Sequence, residues 1–459
     1  MKVAVVGGGL TGLAAAYRLQ TLGFEPTVYE SAARVGGVVW TEREAGFLAE
    51  TGPNSLSNPN PMVGRLLGEL GLSERLIEAN PAARCRYIVR DGRLEPLPSS
   101  PLQLLTTPLL SPTAKLRLLK EPFVAKADPA VEESVGDFVR RRLGDEVLAY
   151  VVGPFVGGVY AGNPDALSMR HALPKLYAME QENGSILAAM LARARASHRS
   201  GSPGGSTGSV FSFPHGLGEL TEVLVQRLAG RVCTASPVRR LSRRAFQWIV
   251  ATDQGDARFA GVIFAAPAHA FGDIEFACEE SEKLREAASI AYAPVAVVVL
   301  GFPRGAVAHP LDGFGVLVPA AERRRMLGTL FSSTLFPGRA PEGSVTLTTF
   351  VGGMGRPDLV GLEPDALVGL VRDELTDLLG AFGDPAFQRV SVWPKAIPQY
   401  EVGHQRWLDL LDEIEGANSG LALVGTYRFG VSLGDALASG LAAGDRLGLY
   451  LGGAGPSLR

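Results

Sequence analysis

The sequence has few cysteines and no excess of basic residues. Cys85, Cys233 and Cys278 are far apart and form no CxxC pair, a spacing that fits neither a disulfide framework nor a zinc site. This usage is typical of a protein in a reducing compartment. Lysine and arginine together number 44 against 47 aspartates and glutamates, which gives a net charge of −3. Because nucleic-acid binding draws on a basic surface, DNA and RNA are disfavoured as partners.

Long apolar runs and metal-ligand motifs are also missing. The best candidate run, residues 291–302, includes Pro294 and is too short for a membrane span, so it predicts a buried strand. The six histidines show no HExxH spacing, and no metal site is predicted. Glycines interrupt the apolar N-terminal run and no cleavage site follows it, so we do not expect a secretory signal.

Glycine, in contrast, is abundant, with 56 of 459 residues, about 12% against a usual ~7%. Residues 2–6 (KVAVV) predict a strand, residues 10–22 a helix and residues 26–30 (PTVYE) a second strand. Between the first strand and the helix, Gly7, Gly9 and Gly12 form a GxGxxG motif. Such glycines permit a tight turn, close approach of a pyrophosphate and close helix–strand packing. The unit therefore predicts a dinucleotide-binding fold.

The choice of dinucleotide depends on the residues after the second strand. Glu30 ends that strand, where a carboxylate can accept hydrogen bonds from an adenosine ribose. It begins an ExxxRxGG run with Arg34, Gly36 and Gly37 that resembles the run of flavin amine-oxidase-type proteins. The arginine and the paired glycines bring charge and bare backbone to a diphosphate. The run favours FAD over a nicotinamide cofactor.

A GxSxG pattern at residues 430–434 must be weighed as a serine-hydrolase nucleophile elbow. The α/β-hydrolase order requires a base histidine after the serine, and no histidine follows His404. We therefore expect this turn to place a helix N-terminus near the flavin, where it favours negative charge on the reduced ring.

Patterning predicts four further segments. Residues 102–196 are expected to be mostly helical, with an amphipathic helix at Val135, Phe138, Val139 and Leu143, and residues 197–209 are expected to form a Ser/Gly-rich loop. Several strand candidates between residues 291 and 350 predict an antiparallel block. Residues 421–450 predict a strand, a glycine-rich turn and a closing helix. Dinucleotide-binding sequence patterns occur near both ends of the chain, which implies that one domain is assembled from separated segments.

Ten blocks along the chain carry a family resemblance. They are GGGLTG (7–12), SAARVGG (31–37), ETGPNS (50–55), RYIVRDGRL (86–94), FVGGVYAG (155–162), LDGFGVLVP (311–319), LGTLFSS (327–333), TTFVGG (348–353), WPKAIPQY (393–400) and YRFGVSLGDALASG (427–440). Together they resemble the protoporphyrinogen oxidases, of the bacterial, oxygen-dependent type.

The resemblance implies an α/β (α+β composite) fold with three parts. A Rossmann-like FAD-binding domain with a parallel sheet comprises residues 1–84, 206–272 and 394–459. An antiparallel-sheet substrate domain comprises residues 85–98 and 273–393. A helical insert at residues 99–205 would associate with a membrane.

The resemblance also implies site residues. The FAD contacts fall on Gly7, Gly9, Leu10, Thr11, Gly12, Glu30, Ser31, Arg34, Gly36, Gly37, Gly52, Pro53, Asn54, Ser55, Val238, Trp393, Val431, Ser432 and Leu433. In the substrate pocket, Arg86 would pair with a propionate, Leu317 and Leu330 would sandwich pyrrole rings, Phe350 would stack on another, and Gly158 would supply a main-chain carbonyl. No side chain is expected to act as a general base, because the flavin accepts the hydride.

The activity that follows is oxidation of protoporphyrinogen IX to protoporphyrin IX by successive two-electron hydride transfers to FAD, with oxygen or another oxidant restoring the flavin. Oxidation of coproporphyrinogen III is the alternative, with a flavin amine oxidase or a non-catalytic escort protein more remote. The resemblance further implies a homodimer, handover to ferrochelatase, and a cytoplasmic location on the inner face of the cell membrane. Leucines and basic residues at 102–126 suit such an interfacial element, although they equally suit a face packed on the domain's own core.

Overall fold

The computed structural model describes residues 1–57, 60–98, 103, 106–190, 192 and 210–453. The predicted loop at 197–209 lies outside these ranges. The strands are β1 Lys2–Val6, β2 Glu25–Tyr29, β3 Thr41–Glu44, β4 Phe47–Glu50, β5 Leu56–Ser57, β6 Ile77–Glu78, β7 Arg86–Arg90, β8 Arg93–Pro96, β9 Val210–Ser212, β10 Val232–Cys233, β11 Val238–Arg244, β12 Gln247–Thr252, β13 Gly255–Phe259, β14 Gly261–Phe264, β15 Glu275–Ala277, β16 Tyr292–Pro303, β17 Gly315–Leu317, β18 Gly328–Leu330, β19 Ser344–Gly352, β20 Phe387–Pro398 and β21 Leu421–Leu423.

The helices alternate with these strands and cluster between β8 and β9. They are α1 Leu10–Thr21, α2 Pro61–Glu69, α3 Pro112–Leu119, α4 Val135–Arg142, α5 Asp145–Val147, α6 Gly153–Tyr160, α7 Met169–Ala172, α8 Pro174–Asn183, α9 Gly218–Leu228, α10 Glu282–Ala287, α11 Ser332–Leu335, α12 Pro364–Leu379, α13 Gln405–Ala417, α14 Thr426–Phe429 and α15 Leu433–Leu451. A π-helix, Leu148–Val152, joins α5 to α6.

A five-stranded parallel sheet joins the two ends of the chain. Its strand order is β10-β2-β1-β14-β21, and every pairing is parallel. The buried valines of β1 pack on one face against α1, α9 and α15, and on the other against the layer that contains β11 to β13. The predicted assembly of one nucleotide-binding sheet from distant segments is confirmed.

Helices α1 and α15 pack closely and in parallel on one face of this sheet, because glycines of α15 face α1. A Cβ on Gly440 would lie 2.1 Å from the Thr11 carbonyl oxygen, and a Cβ on Gly444 would lie 2.9 Å from the Arg18 Cβ. Parallel packing places the two helix N-termini at the same end of the sheet. Since Gly440 lies beside Thr11, α15 begins about 9 Å beyond the start of α1 at 1.5 Å per residue.

A seven-stranded sheet has the order β20-β16-β19-β18-β17-β7-β8. The run predicted as a buried strand is its long strand β16, paired on both sides. The described pairings among β16 to β19 are all antiparallel, as predicted for residues 291–350, but β17 also pairs in parallel with β7, inside the domain predicted to have an antiparallel sheet. The segment containing β7 is separated from β17 by more than 200 residues, so no tight turn forces the two strands to run in opposite directions.

Two of the predicted domain boundaries cut through sheets. Strand β20 continues in register with β16 to Pro398, past the predicted boundary at 393/394. Strand β15 at residues 275–277 pairs with β11, so this layer extends past 272/273. Helices α3 to α8 pack around Phe138 and Val139 in a hydrophobic cluster that also includes Tyr400. The remaining domain division stays a prediction.

Candidate flavin site

The first part of the site is the turn between β1 and α1. Gly7 has φ +106°, and a Cβ on Gly12 would lie 1.9 Å from the Gly7 carbonyl oxygen, so both positions require glycine. A Cβ on Gly9, by contrast, would meet nothing within 4 Å. Gly9 is the N-cap of α1, no side chain caps this helix, and its first turn has no acidic residue. The N–H groups around Leu10, Thr11 and Gly12 thus offer positive potential beside open space, as a diphosphate requires.

Glu30 lies at the end of β2, next to this turn. Its Oε2 accepts a hydrogen bond from the Gly8 N–H at 2.7 Å, and its Oε1 accepts one from the Ala32 N–H at 2.8 Å. The hydroxyl of Ser31 is 3.3 Å from the same Oε1. A carboxylate offers about four lone-pair sites, so Glu30 retains capacity for a ribose hydroxyl.

The segment that leads into β11 runs beside Glu30. The Ser236 N–H donates to the Glu30 carbonyl oxygen and the Ala235 N–H to that of Ala32, each at 2.8 Å. Val238 follows as the first residue of β11, buried, with a bulge between it and Arg240. The backbone at Val238, predicted to lie beside adenine, is therefore near Glu30, the residue predicted to bind the ribose.

Bare backbone and a fixed arginine lie on the other side of the turn. The Gly36 N–H donates to the Gly8 carbonyl oxygen at 2.8 Å, and Gly36 and Gly37 both have positive φ. The Arg34 Nη1 donates to the Gly37 carbonyl oxygen at 3.0 Å, and its guanidinium lies 4.9 Å from the centre of the Trp40 ring. Trp40 was not predicted. It holds the cation by stacking and hydrogen-bonds through its own carbonyl to Thr51.

The loop that contains Gly52, Pro53, Asn54 and Ser55 meets this segment and the large sheet. A Cβ on Gly52 would lie 2.2 Å from the Val38 carbonyl oxygen, and the Asn54 Nδ2 donates to the Gly52 carbonyl. The Trp393 Nε1 on β20 donates to the Thr51 carbonyl oxygen at 2.7 Å. The predicted contacts at 52–55 and at Trp393 are therefore brought together.

Glu50, which precedes this loop, is a buried acid that the sequence analysis did not single out. It accepts hydrogen bonds from the Thr41 hydroxyl at 2.6 Å and from the Leu217 N–H at 2.8 Å, at the start of α9. Burial raises the pKa of Glu50 to about 7. The residue ties the loop to α9.

The glycine-rich turn at 430–434 starts α15. The Ser432 hydroxyl accepts a hydrogen bond from the Asp435 N–H at 3.1 Å and donates to the Asp435 carboxylate at 2.6 Å. The serine is thus a helix cap, which agrees with the rejection of a hydrolase nucleophile. Val431 and the N-cap Ser432 lead into Leu433, at the end of α15 that extends past α1. Two helix N-termini offset in this way suit the two ends of a flavin dinucleotide.

The predicted substrate residues share one face of the seven-stranded sheet. Leu317 and Phe350 are both cross-strand partners of Gly328, while Arg86 and Leu330 are both partners of Gly315. Partners in register point to the same side, and all four side chains are half-buried. Trp393 and Phe350 pack against the same hydrophobic cluster on this side. The face therefore continues to the loop at 52–55 through the hydrogen bond of Trp393.

Arg86 brings the charge to this otherwise apolar face. Its guanidinium lies 4.6 Å from the centre of the Phe314 ring, and burial lowers its pKa, with no acidic group contributing to the shift. Arg389, on the same side of β20, is paired with Glu42 and Glu44 at 2.7 and 2.6 Å. Arg86 is thus the arginine prepared to receive a carboxylate from a ligand.

Gly158 lies on α6, where the helical segment approaches the sheet face that bears Leu317. A Cβ on Gly158 would lie 2.8 Å from the Leu317 Cδ2. The absence of a side chain therefore lets the α6 backbone approach the sheet face.

Across the described ranges, no three metal-type ligands come together. No helix in those ranges combines the length and hydropathy that crossing a bilayer requires.

Comparison with known proteins agrees with this geometry. The family model described as flavin containing amine oxidoreductase matches residues 10–447. The chain belongs to the flavin-containing amine oxidoreductase family. Members of this family are FAD-dependent oxidoreductases, and the bare Gly9 backbone, Glu30 and Arg34 described above fit that cofactor. FAD is the cofactor of this flavoenzyme, and the prediction of FAD is confirmed.

Named relatives place the chain in a narrower group of this family. Protoporphyrinogen oxidase 2 of Arabidopsis thaliana is 35% identical, covering 98% of this chain and 94% of its own. Coproporphyrinogen III oxidase of Bacillus subtilis (strain 168) is 28% identical, covering 96% of each. A crystal structure from Exiguobacterium sp. 255-15, named provisionally as a protoporphyrinogen oxidase, has a TM-score of 0.82 at 26% identity over 98% of each chain. The predicted relationship to the protoporphyrinogen oxidases is confirmed.

Proposed function

We propose that this oxidoreductase converts protoporphyrinogen IX to protoporphyrin IX. One observation carries the proposal: an apolar sheet face bears a half-buried arginine that has no acidic partner among the described residues, and this face joins the loop at 51–55, here called the flavin loop, through Trp393. A porphyrinogen is an apolar disc with carboxylates at its rim, so this face suits it. The names of the relatives support the same class of substrate.

The residues of the chain would bind and orient the macrocycle. Arg86 would hold a propionate, while Leu317, Leu330 and Phe350 would cover the pyrrole rings and exclude water. FAD held by the Gly9 backbone, Glu30 and Arg34 would supply the two-electron chemistry. In each round the macrocycle would lose a hydride from a bridging methylene carbon and a proton to water, and molecular oxygen would take up the two electrons with two protons as hydrogen peroxide. Aromaticity of the final product supplies the driving force, and no side chain is assigned as a general base.

Oxidation of coproporphyrinogen III is the second candidate, and the Bacillus subtilis relative favours it. Coproporphyrinogen has four carboxylates and calls for more cationic partners. On the described sheet face, Arg389 is already neutralised by Glu42 and Glu44, which leaves Arg86. The charge distribution therefore favours the substrate with two carboxylates.

Turnover of the two porphyrinogens tests the proposal. We expect the protein to oxidise protoporphyrinogen IX in air with a kcat/KM about tenfold above that for coproporphyrinogen III, a difference of ~1.4 kcal/mol. Fluorescence of the porphyrin product measures both rates. Preference for coproporphyrinogen would reverse the assignment, and turnover of neither would remove a porphyrinogen as substrate.

We also propose that the helical segment rests on a membrane surface. Leu118 of α3 is buried, but Leu116 and Leu119 of the same helix and Phe123 just beyond it are 57%, 56% and 88% exposed. Lys115, Arg117 and Lys120 flank them. An exposed apolar face with basic flanks is what anionic lipid attracts.

A homodimer and handover to ferrochelatase stay predictions from the resemblance.

Replacing Leu116, Leu119 and Phe123 together by serine is expected to lower binding to anionic vesicles at least about tenfold, because each apolar side chain contributes ~1.5–3 kcal/mol when buried. Co-sedimentation with phosphatidylglycerol vesicles measures the bound fraction. Phe246→Ser is the matched control, since Phe246 is 91% exposed on the β11–β12 turn. Equal binding by the triple variant and the wild type would contradict the proposed surface.

A further inference from the structure

Tyr400 is a buried residue that none of the proposed contacts uses. It follows β20 and is 4% exposed. Its hydroxyl accepts a hydrogen bond from the Gly430 N–H at 2.8 Å and donates to the Thr426 carbonyl oxygen. One hydroxyl therefore joins the first residue of α14 to the residue that follows this helix.

The segment held in this way leads directly into Val431–Leu433. Gly430 has φ +111°, and a Cβ there would lie 2.5 Å from the Asp435 carboxylate. Ser432 and Asp435 lock the far side of the same turn. The turn is thus fixed by Asp435 on one side and by Tyr400 on the other, and its backbone conformation suits glycine alone.

The surroundings of Tyr400 hold its ring in place. The ring lies 4.5 Å from that of His404 and 6.0 Å from that of Tyr160, measured between ring centres. His404 itself hydrogen-bonds to the Tyr427 carbonyl oxygen, and the Ser168 N–H donates to the Tyr400 carbonyl oxygen at 2.7 Å. Burial also raises the pKa of Tyr400, so the hydroxyl keeps its proton. The position of Tyr400 is therefore set by the segments that contain Tyr160, Ser168 and His404.

We propose that Tyr400 is a positioning residue that sets the N-terminus of α15 against the flavin ring and thereby raises the reduction potential of the flavin. The stabilisation that a helix N-terminus gives to a negative charge falls off within its first turn, so a small displacement of that turn weakens it. This inference rests on the proposed placement of the ring at Val431–Leu433. It does not depend on the identity of the substrate.

Tyr400→Phe in the FAD-loaded protein tests the inference, since it removes the hydroxyl and keeps the ring. We expect FAD to stay bound and the midpoint potential to become more negative. The ratio of reduced to oxidised flavin at a fixed potential should fall about 3- to 30-fold, where tenfold corresponds to ~30 mV for two electrons. Reductive titration against reference dyes, without porphyrinogen, measures the potential. In turnover, kcat should fall while KM is unchanged.

Tyr160→Phe is the matched control. The Tyr160 hydroxyl donates to the Ala172 carbonyl oxygen at 2.9 Å within the same hydrophobic cluster, so its loss removes a buried hydrogen bond that involves neither Thr426 nor Gly430. We expect its potential to equal that of the wild type. A wild-type potential in Tyr400→Phe, or an equal shift in Tyr160→Phe, would overturn the inference.

A second variant covers the case in which Tyr400→Phe does not retain FAD. With 3-fluorotyrosine at position 400 the hydroxyl remains but accepts more weakly, and a smaller negative shift is expected. An unchanged potential in that variant would also overturn the inference. Because no porphyrinogen is present, failure of the proposed substrate would leave these outcomes unaffected.

Discussion

Arg86→Ala is expected to raise the KM for protoporphyrinogen about 10- to 100-fold while FAD stays bound. A hydrogen bond to a charged partner is worth ~1.5–3 kcal/mol, and each 1.4 kcal/mol is tenfold in affinity. Arg86 lies on β7, whereas the flavin loop contacts the sheet through Trp393 on β20. Steady-state kinetics and the flavin absorbance of the same preparation measure the two effects.

Arg93→Ala is the control for Arg86, because Arg93 is exposed on the adjacent strand β8 and carries the same charge. Its KM should equal that of the wild type. Arg86→Lys should recover part of the loss, since lysine retains charge without the two-pronged geometry. Loss of flavin from Arg86→Ala, or an unchanged KM, would show that Arg86 has been misplaced.

Gly12→Ala is expected to weaken FAD binding about 100-fold or more. The added Cβ would lie 1.9 Å from the Gly7 carbonyl oxygen, so β1 and α1 must separate at the proposed diphosphate site. A strain of ~2.7 kcal/mol, within the usual cost of overpacking, corresponds to that factor. Fluorescence titration of the deflavinated protein with FAD gives the dissociation constant.

Gly9→Ala distinguishes an effect on FAD binding from an effect on protein packing. A Cβ on Gly9 meets no protein atom within 4 Å, so the thermal stability of the flavin-free protein should be unchanged while FAD affinity falls about tenfold. Gly64→Ala, also in open space on α2, should leave FAD affinity intact. Wild-type FAD affinity in Gly9→Ala would mean that the diphosphate does not approach this backbone.

Local patterns predicted the parts of the fold whose causes are local. The β1–α1–β2 unit follows from a β-branched run, three spaced glycines and a helical repeat, and the structure bears it out with β1, α1 and β2 within a residue or so of their predicted bounds. The buried strand at 291–302 and the helix at 135–142 could be predicted in the same way, because apolar periodicity reflects burial directly.

Contacts between distant segments were not predictable in the same way. Trp40, Glu50 and Tyr400 carry no motif of their own, and their roles appear only when Arg34, Leu217 and Gly430 come beside them. The repeat of glycine at 440, 444 and 448 was a signal that could have been read as a close helix contact. The partner helix, however, could not have been identified from that repeat.

The sequence by itself determined the cofactor class and the nucleotide-binding unit, because the backbone demands of a diphosphate must be met by glycines at fixed spacing. It also determined that the chain's two ends share one sheet. Only the tertiary structure decided that Arg86, Leu317, Leu330 and Phe350 share a face, and that this face meets the flavin loop through Trp393. Strand order and register between distant segments depend on the packing of the whole chain, which no local pattern encodes.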